Sequence, residues 1–324
     1  MVRRRVARLV LALCAALAAC DGDASGNKAA VAVEPPVARA PDALPAEQTG
    51  GFDGAKAYEH VARLMAMGPR YPGSDGWRKA QEYFRTQLKS YGCAVEEEEF
   101  TATTPHGPVR MRNLVAKIAG EKADVLLLAS HYDTVVPSQV KDFVGAVDGA
   151  SGNGVMLELA RLLCAPGRKN RLSIWIAFFD GEEAFVDWWK DNDNTYGSRQ
   201  LAARMALDGD LPRLKAMILA DLVGEKGAQY KREENSTPWL AELVWSVAAE
   251  LGYGETFVDE EVAGISDDHL SFLNRKIPAV DIIDLEYPHW HTPQDTLDKV
   301  SARTMGVTGH VILETIAALE KKFK

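Results

Sequence analysis

Residues Ile176–Trp189 read IAFFDGEEAFVDWW. The run starts as an apolar strand and breaks at Asp180-Gly181. It then sets two adjacent carboxylates, Glu182 and Glu183, and ends in two tryptophans. Together with Leu172–Trp175 the apolar part has the form of a strand buried on both faces, which shows as a continuous hydrophobic run. Such a strand ends at the rim of its sheet. In open α/β sheets ligands bind outside the carboxyl ends of the strands, so acids placed there sit where chemistry is done.

The same pattern recurs on either side. DVLLLASHYDT (Asp124–Thr134), LKAMILADLVG (Leu214–Gly224) and PAVDIIDL (Pro278–Leu285) are apolar runs that end in polar residues. The four strand ends supply His131 and Asp133, then Glu182 and Glu183, then Asp221, then the stretch Glu286–His291. AVEEEEFTA and NLVAKIAG read as further strands, the first exposed. GAKAYEHVARLMAMG, GWRKAQEYFRTQLKSYG, SGNGVMLELARLLC, YGSRQLAARMA, TPWLAELVWSVAAELGY and the last twenty or so residues have helical spacing. Strands alternating with helices predict an α/β sandwich with a central mixed, largely parallel twisted sheet flanked by helices. Residues 51–324 are expected to form one catalytic domain.

The amino-terminal fifty residues differ in kind. MVRRRVAR is basic, and the apolar run LVLALCAALAA that follows is too short to span a bilayer, which takes about 20 residues. It has the length of a signal-peptide core. LAAC, ending at Cys20, resembles the lipobox of bacterial lipoproteins, which makes Cys20 the expected lipidated residue; the plainer alternative is a secretory signal cut near Ala19. Residues 21–50, rich in Ala, Pro, Asp and Gly, read as a flexible tether. These features predict a bacterial envelope protein held to the membrane by a lipid, with Asp21 favouring the periplasmic face of an inner membrane. The formal charge of −9 becomes −13 once the four arginines of residues 1–20 are set aside. That acidic body argues against nucleic acid as a partner. Cys93 and Cys164 remain after the signal, and an exported chain permits a disulfide between them without requiring one.

Zinc takes His nitrogen and carboxylate oxygen, and a catalytic site keeps one position open. Candidate ligands are His131, Asp133, Asp148, Glu182, Glu183, Asp221, Asp267, Asp268, His269, His289 and His291. Composition does not choose among them. Asp148 lies in GAVDGASGNG, where the backbone can bend around an ion. Of the adjacent glutamates one can bind metal while the other stays free as a base, and the pair repels unless a cation sits between them. A solvated acidic turn is the plainer explanation.

The segments GPRYPGS, SHYDT, FVGAVDGASGNGVMLELAR, FFDGEEAFVDWW, YGSRQLAARM, LADLVG, SDDHLSFL, IPAVDII and WHTPQDT occur in order over residues 68–297. In these the chain resembles the zinc-dependent M28 metallopeptidase-like superfamily and, within it, the animal-type glutaminyl-peptide cyclotransferases. The resemblance implies that Asp148, Glu183 and His291 hold one zinc and that Glu182 is the general acid/base. It further implies that Asp221 and Asp267 hydrogen-bond near that base, Asp267 being taken ahead of Asp268, and that Trp188 and Trp290 line the substrate pocket. The implied reaction turns the N-terminal glutamine of a peptide or protein into pyroglutamate with release of ammonia, in a monomeric catalytic domain.

The two-zinc aminopeptidases of the same superfamily are the competitor. Their second zinc would fall to His131, Asp148 and Asp221. AFVDWWKDNDNTY, inserted between Glu183 and Gly197, and the tryptophan of WHT resemble the cyclases; PQDT and GASGNG lie closer to the aminopeptidases. A third alternative is a lipid-anchored binding protein with a structural metal, for which Glu182 would be superfluous. His60, His106, His310 and Trp189 are expected in ordinary surface or core roles, His289 in solvent, and His269 capping or packing its helix. With one zinc, His131 is expected to support the site through hydrogen bonds to its acids.

Overall fold

The structure, a computed structural model, describes residues 40, 42–186 and 192–324. Cys20, the expected leader 1–20, most of the expected tether, Trp188 and Trp189 lie outside the described residues.

Eight strands are present among them: β1 (Ala94–Thr104), β2 (Gly107–Ile118), β3 (Lys122–His131), β4 (Leu172–Phe179), β5 (Leu214–Ala220), β6 (Tyr230–Glu233), β7 (Phe257–Val262) and β8 (Ala279–Ile282). The helices are α1 (Gly54–Ala66), α2 (Asp75–Ser90), α3 (Ala150–Leu163), α4 (Tyr196–Asp208), α5 (Pro238–Glu250), α6 (Leu270–Leu273) and α7 (Ala302–Lys322). Six strands form one sheet in the order β1-β2-β4-β3-β5-β8. β1, β2 and β4 pair antiparallel, whereas β4, β3, β5 and β8 run parallel. The chain leaves β3 for β4 on one side and then crosses to β5 on the other. This places a topological switch at the carboxyl end of β3, where open sheets bind ligands.

The apolar runs are continuous because both faces of the sheet are covered. Leu126, Leu128, Ile174, Ile176 and Ile218 point into a core built with α1, α2, α3, α5 and α7. Their neighbours Leu127, Ala129, Trp175, Ala177 and Leu219 point the other way, onto Leu201, Ala202 and Met205 of α4 and Phe272 of α6.

Three features go beyond the sequence reading. The short parallel pair β6–β7 was not expected. The folded body also begins before residue 51: Asp42 accepts hydrogen bonds from the Ser301 hydroxyl and from the Ala302 N–H at the start of α7, and Thr49 is fully buried. The last part of the expected tether therefore caps a helix and belongs to the domain. Finally, Cys93 and Cys164 form a disulfide with Cα atoms 5.5 Å apart, tying the end of α2 to the end of α3. No helix among the described residues is long and apolar enough to cross a membrane.

Candidate active site

The acid-rich turn after β4 is held from below. Asp133, two residues past β3, accepts the N–H of Glu182 at 3.0 Å on one oxygen and the N–H of Glu183 at 3.2 Å on the other. Two successive backbone groups are thereby pinned, which sets the directions of the two side chains. Asp180 turns away from the cavity, accepting the Arg112 N–H at 2.7 Å and the Trp77 indole N–H at 2.9 Å. Burial, then the nearby Asp133, pushes its carboxyl up to about 8. Between them Gly181 has φ +67°, and a Cβ there would stand 2.6 Å from Met111 Sδ. The turn needs glycine for both reasons.

Asp148 is positioned with equal care. Asp295 accepts the N–H groups of Val147 at 2.9 Å and Asp148 at 3.1 Å, and the Tyr287 hydroxyl donates to it at 2.8 Å. Arg70 is fully buried and donates to the carbonyls of Tyr132 (2.9 Å), Val144 (2.7 Å) and Gly145 (3.0 Å). It thus clamps the segments bearing Asp133 and Asp148, and its charge faces Asp295, Asp148, Asp133 and Glu183. At Gly149 a Cβ would lie 2.5 Å from His131 Nε2, so only glycine lets the imidazole reach Asp148.

Among the described residues two groups of side chains can hold a metal ion, each with ligand atoms within 4.8 Å of one another: Asp148, Glu183 and His291, and His131, Asp148 and Asp221. In the first, His291 Nε2 lies 3.2 Å from Asp148 Oδ2 and 3.2 Å from Glu183 Oε2. In the second, His131 Nε2 lies 3.2 Å from Asp148 Oδ1 and 3.1 Å from Asp221 Oδ1. The first group fits zinc in donor type, one imidazole nitrogen with two carboxylates. Among the described residues Glu183 Oε1 is buried with no hydrogen-bond partner, as an atom reserved for a cation would be. His291 has φ +49°, a left-handed conformation for a non-glycine residue, and Phe143 and Trp290 flank its ring at 5.7 and 4.7 Å. Such strain costs about 1–3 kcal/mol and persists where its surroundings enforce it.

The electrostatics follow from burial and close packing. Burial pushes Glu183 up, to about 7, against the pull of His291. Burial lowers His291, yet Glu183 and Asp148 outweigh it and push the imidazole up to about 11. A proton and a metal ion therefore compete for the same nitrogen. Asp148 is held below the usual carboxylate range: burial raises it, and hydrogen bonds and charge from His131 and His291 more than offset that. Glu182 is pushed well up by burial and by Glu183, Asp267 and Asp268, with His131 opposing.

A cavity of about 340 Å³ opens over these groups. Asp148, Glu182, Glu183, Asp221, Asp267 and His291 form its polar side, and Val262, Ile265, Ile283, Leu285 and Trp290 its apolar side. Glu182, Asp221, Asp267 and Trp290 thus line one cavity. Asp267 reaches the cavity whereas Asp268 is fully buried beneath it, which separates two adjacent acids that sequence could not. Burial, Asp221 and Asp268 push Asp267 well up. Asp193 accepts the N–H groups of Phe185 and Val186 and the Tyr196 hydroxyl, closing the base of the insertion that carries Trp188.

His269 occupies the N-cap position of α6, as a capping or packing residue would, but its side chain makes no capping bond; its ring is buried with Nε2 3.4 Å from Glu233 Oε1 and Nδ1 3.7 Å from Asp281 Oδ2. The sequence reading also gave no role to Arg70, Asp295, Ile265 or Ile283. The one signal for Arg70 is its place in GPRYPGS, and for Asp295 its place in WHTPQDT.

An α/β sandwich whose parallel strands deliver acids and imidazoles to a common point defines a zinc-exopeptidase type of fold. The profile of peptidase family M28 matches residues 113–316, and the chain belongs to that family. Within it, the chain is 31% identical over 260 residues to a glutaminyl-peptide cyclotransferase of Drosophila melanogaster, covering 73% of each sequence. The crystal structure of an Acidobacteriales bacterium glutaminyl cyclase superposes with a TM-score of 0.79 at 37% identity, covering 84% of this chain and 96% of that one. A Zn-dependent exopeptidase from Parabacteroides distasonis superposes at 0.75 with 30% identity, covering 82% and 98%.

Proposed function

We propose that this chain is a zinc-dependent glutaminyl-peptide cyclotransferase, converting the N-terminal glutamine of peptides and proteins to pyroglutamate with release of ammonia. The observation that carries this reading is Glu182. It lines the cavity next to the Asp148–Glu183–His291 group but is not part of it, so a free carboxyl stands beside the ligands.

The α-amine of the substrate attacks its own side-chain carboxamide carbon. A C–N bond forms, the bond to the amide nitrogen breaks, and one proton moves from the amine to the departing ammonia. Glu182 takes and returns that proton, work worth about 10²–10⁴-fold. Asp221 and Asp267 face the same space and hold the amine. Ile265, Ile283 and Trp290 enclose the methylenes and exclude water, so ring closure rather than hydrolysis follows. When bound by Asp148, Glu183 and His291, zinc supplies Lewis-acid polarisation of the γ-carbonyl oxygen. One zinc suffices; His131 then bonds to Asp221 and supports it.

The two-zinc aminopeptidase is the second reading, favoured by the His131–Asp148–Asp221 group. Incubating the purified protein with a glutaminyl and a leucyl peptide distinguishes them. Ammonia without chain shortening, with one zinc per chain, supports the cyclase; release of the first residue, with two, supports the aminopeptidase. Residues 1–20 are proposed as a lipoprotein signal with Cys20 lipidated, and the enzyme as a monomer anchored in the bacterial envelope. The disulfide between Cys93 and Cys164 supports an oxidising compartment.

A further inference from the structure

A second groove, polar and about 320 Å³, shares Ser266 and Asp267 with the catalytic cavity. Its far side carries Asn194, Arg199, Asn274 and Arg275. In a chain of net charge −9 many arginines are matched to acids, such as Arg85 to Glu97 and Arg204 to Glu98. Arg275 is different. It donates to the Ser271 carbonyl at 2.8 Å, is half-buried, and has no carboxylate at ion-pair distance among the described residues. Arg199 likewise spends its donors on the carbonyls of Thr195, Asn192 and Asn194, with Asp193 and Asp268 acting on it only through space. Among the described residues, then, no carboxylate, Asp267 of the groove's own lining included, stands at ion-pair distance from either guanidinium.

Ring closure beside Glu182 determines what reaches this groove. With the substrate amine held beside Glu182 and Asp267, the α-carbon sits at the Asp267 side of the cavity. The peptide chain leaves there, over exposed Ser266, which stands between the two spaces. We infer that this groove receives the residues following the N-terminal glutamine and that Arg275 favours an acidic side chain among them. The inference rests on the cyclase reading and adds a substrate class to it: peptides of the form Gln-Glu or Gln-Asp.

The test measures ammonia release from three amidated peptides, Gln-Glu-Ala, Gln-Gln-Ala and Gln-Lys-Ala, with glutamine amide as a substrate that does not reach the groove. At low ionic strength kcat/KM should rank Glu above Gln above Lys. The outer pair should differ about 3- to 10-fold, mainly in KM, and the gap should narrow with salt. R275E should reverse the ranking and R275Q flatten it, both leaving glutamine amide turnover unchanged. Equal rates for the three peptides, or a ranking unmoved by R275E, would overturn the subsite while leaving the cyclase reading intact. Absence of ammonia from every substrate overturns the cyclase reading, and the subsite with it.

Discussion

Two buried groups of acids and imidazoles lie within a few residues of each other in this molecule. The front group joins Asp148, Glu183 and His291, with His131 and Asp221 beside them, at the cavity floor. The back group joins Glu233, His269 and Asp281 under the sheet edge, next to Asp267 and Asp268. Their composition is nearly the same. In the front group the ligand atoms converge on one point and open onto a cavity. In the back group Glu233 and Asp281 stand on different nitrogens of one imidazole, at 3.4 and 3.7 Å, and among the described residues their ligand atoms do not converge as the front group's do. The front group can trade its protons for a cation. The back group has only protons with which to balance its charge. Burial, then Asp267, Asp221 and Glu233, pushes Asp281 well up, so that it keeps its proton. Glu233 is held down at about 2: burial raises it, and the bonds from His269 and Ser236 outweigh that. Buried acids do not by themselves mark a metal site; convergence on an open position does.

The strongest way to break this comparison is to remove a front ligand. D148N keeps the volume of the side chain and should abolish metal binding. Losing Lewis-acid stabilisation worth several kcal/mol, it should lower kcat/KM by about 10³-fold or more. Metal analysis alongside ammonia release checks this, and full activity with no bound metal would sink it. E182Q comes next. It should cut kcat about 10²–10⁴-fold while metal content stays at the wild-type value, because Glu182 acts beside the ion and does not hold it. H131A tests the number of ions. With one zinc it should leave the metal count unchanged and cost about 10- to 100-fold, as loss of a supporting hydrogen bond does; loss of half the metal would establish the two-ion centre.

Sequence pattern revealed the sheet because its strands are buried on both faces; it offered many acids and imidazoles at and beyond the strand ends, and only the family resemblance singled out Asp148, Glu183 and His291 among them. Other parts were illegible for physical reasons. YKRE and FVDEEV, which become β6 and β7, are short and polar, with too little alternation to read as strands. Arg70 looks like a surface arginine, since the carbonyls that bury it come from residues 62 to 75 positions away. Asp42 sits in a Pro- and Ala-rich stretch, and its partner at α7 lies 260 residues on. The back group shows the same limit. Nothing near His269 announces Glu233, which reaches it only through the small sheet. Asp267 and Asp268 are adjacent, and only the chain's entry into α6 decides which of them faces the cavity.

The smallest effect expected on catalysis, and the sharpest on stability, belongs to the back group. Asp281 is raised on folding, so the native state binds a proton that the unfolded chain releases once pH exceeds about 3.8. From there up to the folded pKa the unfolded state holds fewer protons, and stability falls as pH rises, by at most about 1.4 kcal/mol per pH unit. The carboxamide introduced by D281N needs no such proton. Denaturant melts from pH 4 to pH 8 should therefore show D281N gaining on the wild type as pH rises, with kcat changed less than by any of the front-group substitutions, because Asp281 does not line the cavity and reaches it only through its contact with Asp267. Glu233 supplies the opposite sign. Its carboxyl is lowered on folding, so its contribution is full above its unfolded value of 4.5 and is lost as pH falls toward about 2. E233Q should accordingly lose stability at neutral pH and converge on the wild type in acid. Should D281N and the wild type run parallel across the whole range, the back group does not hold its charge by keeping a proton on Asp281, and the contrast with the front group fails.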